Sequence, residues 1–84
     1  LKYKTIASLN GFELIKLLKK DGWVKHRQTT HGMALRKRVD DRTRVTIVPK
    51  TRAALPIGTL MAILGEKQTS LGRSGLLKLL NKYS

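Results

Sequence analysis

An α+β fold, a small antiparallel three-stranded sheet with helices packed on one face, is what this sequence predicts. Three observations carry the prediction. Apolar residues recur at helical spacing over residues 11–20 and again near the C-terminal end, while between them lie short runs of β-branched, aromatic and basic residues parted by polar tetrads. The chain has 84 residues, 40% of them apolar, enough for one core and too few for two. With no internal repeat, low-complexity tract or linker, residues 1–84 are expected to form a single domain.

The first element is a helix over 11–20, with Phe12, Leu14, Ile15, Leu17 and Leu18 at helical spacing and Lys16, Lys19 and Lys20 on the other side. Asn10 is its N-cap, Glu13 completes a capping box, and Gly22 is placed to end it in a left-handed turn. From Trp23 the period changes, and runs at 23–29, 33–39 and 44–48 read as three antiparallel strands. In the second, Met33, Leu35 and Lys37 share one face and Ala34, Arg36 and Arg38 the other; in the third, Val45 and Ile47 alternate with Arg44 and Thr46. One face is for the core and one is basic. Asp40-Asp41-Arg42-Thr43 supplies the second turn, and Pro49, which has no N–H for a ladder, stops the third strand.

Residues 55–65 read as a second helix, with Pro56 in its first turn, Gly65 just past its end, and Leu60, Ile63 and Leu64 as the buried stripe. A third follows Gln68-Thr69-Ser70, with Leu76, Leu77, Leu79 and Leu80 recurring between Lys78 and Lys82. The expected order is αβββαα. Trp23 belongs in the core; Tyr3 and Tyr83 fall in the terminal segments.

Eighteen Lys and Arg stand against five Asp and Glu, a formal net charge of +13. Cations in that excess repel one another, and a polyphosphate that releases counterions on binding is the simplest compensating partner. Lys25, Arg27, Arg36, Arg38, Arg42 and Arg44 all fall in the predicted sheet or its hairpin, where they form a candidate phosphate-binding patch. No apolar run reaches the ~18 residues of a membrane span, and Leu1-Lys2-Tyr3-Lys4 is not the apolar stretch of a signal peptide, so a soluble intracellular protein is expected, with no membrane partner.

Inventory removes most chemistries. There is no Cys, the two histidines, His26 and His31, have no carboxylate cluster beside them, and no Gly-rich phosphate loop is present, so neither a metal site nor a cofactor is expected. Asp40 and Asp41 are adjacent but sit where a solvated turn is predicted. RNA cleavage survives, because RNA carries its own nucleophile in the 2′-hydroxyl. It needs a base, an acid and a cation at phosphorus; imidazole suits the first two and Lys or Arg the third. His31, between Thr29-Thr30 and Gly32 and near Lys25, Arg27 and Arg36, is the candidate catalytic residue; the plain alternative is a polar turn residue.

Taken in order, Leu14 to Trp23, Arg27-Gln28 followed by His31, Arg44-Val45-Thr46-Ile47-Val48-Pro49, and Leu55-Pro56-Ile57-Gly58-Thr59-Leu60 with Ile63-Leu64 resemble the HicA family of bacterial toxins, over residues 12–80. The resemblance implies a fold like the double-stranded RNA-binding domain, cleavage of messenger RNA in the bacterial cytoplasm, and inhibition by a cognate HicB antitoxin encoded beside the toxin. It also implies that His31 is the active-site histidine. The chain departs from the commoner pattern at that point: Thr29-Thr30 stand where the family has Gly-Ser, and Gly32 follows in a turn one residue shorter.

The competing readings share the basic surface. A non-catalytic RNA-binding module would retain A-form backbone without turnover. A small DNA-binding or ribosome-associated protein would make the same phosphate contacts, and only the 2′-hydroxyl separates RNA from DNA as a substrate. Adsorption of the amphipathic helices to a membrane surface is the weakest, since the sheet should already bury their apolar stripes.

Overall fold

The computed structural model describes residues 8–83. Its elements are α1 (Gly11–Lys20), β1 (Val24–Thr29), β2 (Gly32–Val39), β3 (Arg42–Val48), α2 (Ile57–Leu64) and α3 (Gly72–Tyr83), the order the sequence predicts. The strands form one antiparallel sheet in the order β1-β2-β3.

Both ends of α1 are closed by the residues expected to close them. The Asn10 side chain accepts from the Glu13 N–H at 2.8 Å and the Glu13 carboxylate accepts from the Asn10 N–H at 2.9 Å. At the other end Gly22 has φ +101°, and the N–H groups of Gly22 and Trp23 donate back to Lys19 and Leu18. That paired arrangement satisfies two helix carbonyls and drops Trp23 directly into the core, where it is 2% exposed. Its indole nitrogen is buried with no hydrogen-bond partner among the described residues.

The register fixes the two faces of the sheet. Met33 pairs with Val48, Leu35 with Thr46 and Lys37 with Arg44, and this set faces the helices. Ala34 pairs with Ile47, Arg36 with Val45 and Arg38 with Thr43, and this set forms the open face. The alternation on β3 therefore runs against its hydrophobicity: Thr46 is 1% exposed, while Val45 and Ile47 are 42% and 43% exposed. Thr46 is tolerated inside because its hydroxyl donates to the Gln68 side chain. Lys37, also on the helix side, donates to the Asp21 carbonyl at 2.7 Å and lies 3.2 Å from its carboxylate, so this cation is tied to the end of α1.

The core joins Leu14 and Leu18 of α1, Trp23 from the link between α1 and β1, Met33, Leu35 and Val48 of the sheet, Leu60, Ile63 and Leu64 of α2, and Leu76, Leu79 and Leu80 of α3. Each large side chain fully withdrawn from water contributes roughly 1.5–3 kcal/mol before conformational entropy is subtracted. Some boundaries differ from the sequence reading. The second turn contracts to Asp40 and Asp41, so Arg42 and Thr43 join β3. Pro56 caps α2 rather than entering its first turn. Tyr83 is not a loose end but packs against the core; Tyr3 lies outside the described residues. No helix among the described residues is long and apolar enough to cross a membrane.

Candidate functional site

His31 is a corner residue of the turn between β1 and β2, and it is exposed. Two features hold its backbone. The Thr29 hydroxyl accepts from the His31 N–H at 3.2 Å and donates to the Gly32 carbonyl at 2.9 Å, lacing the turn across its base. Gly32, at φ +147°, lies so close to β3 that a Cβ there would collide with the Val48 carbonyl. The absence of a side chain lets the tip lie flat on the end of the sheet. The imidazole is thus displayed from a turn whose main chain is fixed by the neighbouring strand.

The six cations predicted to form one phosphate-binding patch do not do so. Arg27 pairs with Ala34 and shares the open face with Arg36, its diagonal neighbour across β1 and β2 at roughly 7–8 Å. Arg38 continues the row two residues further along β2. These three form a line that starts near His31 and recedes from it; at ~3.3 Å per residue Arg38 lies roughly 23 Å from the turn. Ala34, between Arg27 and Ile47, is only 2% exposed, so the longer side chains close over it.

Lys25 and Arg44 are placed elsewhere. Lys25 pairs with Leu35 and so has the parity of the helix side, although on the outer strand it remains exposed. The register skips His26 between Lys25 and Arg27, a bulge that re-aims the strand at this point. Arg44 is half-buried, donating to the carbonyls of Glu66 at 2.6 Å and Gln68 at 3.3 Å. Its guanidinium ties the loop after α2 to β3 and is not on the open face.

The structure adds residues at the His31 end that the sequence reading passed over. Gln28 accepts from Lys50 at 3.3 Å, and Lys50 lies 6.0 Å from the ring of Phe12, which is 43% exposed. The pairing of Met33 with Val48, with Gly32 packed against the Val48 carbonyl, brings them there: the residues just after Pro49 return to the end of the sheet that carries His31. Counting antiparallel register back from the first hairpin would have indicated Lys50. Among the described residues no three of His, Cys, Asp or Glu cluster as metal ligands.

A family model described as HicA toxin of bacterial toxin-antitoxin matches residues 11–71, from the first residue of α1 to the residue before α3. No curated protein and no solved structure matches the chain.

Proposed function

This chain belongs to the HicA toxin family, and from that premise we propose that it is a metal-independent endoribonuclease whose His31 cuts messenger RNA and so stops translation. The observation that carries the reading is an exposed imidazole on a fixed turn at the head of a row of arginines, Arg27, Arg36 and Arg38.

In the reaction the 2′-oxygen of RNA forms a bond to the adjacent phosphorus and the bond from phosphorus to the 5′-oxygen breaks. One proton leaves the 2′-hydroxyl and one arrives on the departing oxygen; the His31 imidazole carries one of these transfers. Arg27 is the open-face cation nearest the turn, suited to the charge that builds on the phosphoryl oxygens. Arg36 and Arg38 follow the backbone away from the cut. Lys25 adds charge at the outer strand. These contacts are to phosphate, so they position the RNA without selecting its sequence.

Family membership implies an antitoxin partner, and a HicB-like protein with acidic surface would complement this +13 chain. The test is incubation of antitoxin-free protein with end-labelled single-stranded RNA in a strong chelator, wild type beside His31→Ala. Cleavage by wild type alone is expected. Intact RNA in both lanes, with both proteins folded and still retaining it, would replace the nuclease with a binding module.

A further inference from the structure

β3 is an outer strand of the sheet. Because the turn before it has two residues, Val39 and Arg42 are the closing pair, and hydrogen-bonded pairs then alternate along the ladder. Arg42, Arg44 and Thr46 spend their main-chain groups on β2, while those of Thr43, Val45 and Ile47 point out of the sheet. The Gln68 side chain confirms this parity, since its oxygen accepts from the Ile47 N–H at 3.4 Å from outside the sheet. Thr43 and Val45 carry no such cap among the described residues. The other outer strand, β1, is interrupted by its bulge at His26, a common way to blunt an edge; β3 pairs without interruption.

Beside this edge runs a groove of about 650 Å³ lined by Arg42, Thr43, Arg44, Val45, Glu66 and Lys67. Arg42 and Lys67 are exposed cations, and Glu66 is the one acid among these six. On the other side of the edge lie the exposed apolar side chains of Val45 and Ile47. A strand laid along β3 would alternate its side chains between these surroundings, carboxylates toward the groove and apolar groups toward Val45 and Ile47. A run of phosphates fits less well: phosphate oxygens are acceptors only and cannot pair with the outward carbonyls of Thr43 and Val45.

We propose that the outer edge of β3, from Thr43 to Val45, accepts an added strand from the antitoxin, an acidic and extended segment of that protein. The proposal rests on the antitoxin partnership and is independent of the RNA chemistry at His31. It places a holding point for the toxin at the end of the sheet away from the His31 turn.

The experiment is titration of the full chain with the antitoxin encoded beside it, comparing wild type with Thr43→Pro, Val45→Pro and Lys67→Glu. Proline at either position removes one outward N–H while the inward ladder is untouched. Each proline variant is expected to bind the antitoxin roughly tenfold more weakly, with unchanged far-UV circular dichroism and RNA cleavage. Lys67→Glu, which leaves the main chain alone, should weaken binding in the same direction. Wild-type affinity in both proline variants would overturn the proposal, as would a Lys67→Glu protein that loses RNA retention and keeps the antitoxin. An antitoxin that fails to bind even wild type would remove the partnership itself, an outcome distinct from failure of the edge.

Discussion

At one end of the sheet Thr30 and His31 turn the chain from β1 into β2; at the other, Asp40 and Asp41 turn it from β2 into β3. The second turn is built locally. Both aspartates have positive φ, 51° and 62°, and its side-chain tether is an exposed Arg38–Asp41 pair at 4.0 Å, which contributes little. The first turn is built from a distance. Neither Thr30 nor His31 takes a positive φ; the turn is held by the Thr29 hydroxyl and by the contact of Gly32 with a strand sixteen residues later in the chain, at Val48. The turn that carries Asp40 and Asp41 absorbs strain in its own residues, whereas the one that displays the His31 imidazole draws its rigidity from the fold.

The contrast can be broken most severely at His31. His31→Ala is expected to lower RNA cleavage by about 10²- to 10⁴-fold, the usual range for removing an acid–base group, whereas Asp40→Ala should leave the initial rate unchanged. Next comes Gly32→Ala, which puts a methyl group against the Val48 carbonyl and a side chain at φ +147°. A loss of about 2 kcal/mol or more in urea unfolding is expected, and an unchanged midpoint would show that the tip is not pressed onto β3. Thr29→Val keeps the shape and removes both lacing hydrogen bonds, for a loss of about 1 kcal/mol in the same measurement. The smallest effect has the opposite sign. Asp40→Asn with Asp41→Gly suits the left-handed turn better and should stabilise by about 0.5–1 kcal/mol without altering cleavage.

Much of this was legible in the residues. Asn10, Glu13 and Gly22 mark the limits of α1 because helix caps depend on a few neighbouring side chains. The buried stripes of α1, α2 and α3 follow from periodicity. The burial of Thr46 was harder to read, because Val45 and Ile47 resemble a core stripe when β3 is taken alone. Pairing resolves it: a turn of two or of four residues sets odd-numbered residues of β2 opposite even-numbered residues of β3. Thr46 and Val48 must then lie under the helices with Met33 and Leu35. What no local pattern could reveal is the partner that makes this acceptable, Gln68, twenty-two residues further on.

His31 was legible as a turn residue and, ahead of His26, the leading candidate for acid–base chemistry, but the division of its cations was not. Arg44 looks like Arg36 in the sequence. It is set apart only by the carbonyls of Glu66 and Gln68, which the loop after α2 brings to it. The bulge at His26, which moves Lys25 and Arg27 onto different sides, likewise depends on strand pairing.

The chain has a single tryptophan, Trp23, seated where α1 hands over to β1 and withdrawn almost wholly from solvent. It lies in the core, at the end of the sheet opposite the exposed His31 turn, and lines a cavity with Arg44 and Ser70, two residues that also border the groove beside β3. Its emission should be blue-shifted and shielded from iodide in the native protein, shifting to longer wavelength only when the core opens. RNA bound at the turn should not disturb it. The molecule therefore contains an intrinsic optical readout of folding that is insensitive to RNA, able to separate a variant that has lost its chemistry from one that has lost its shape.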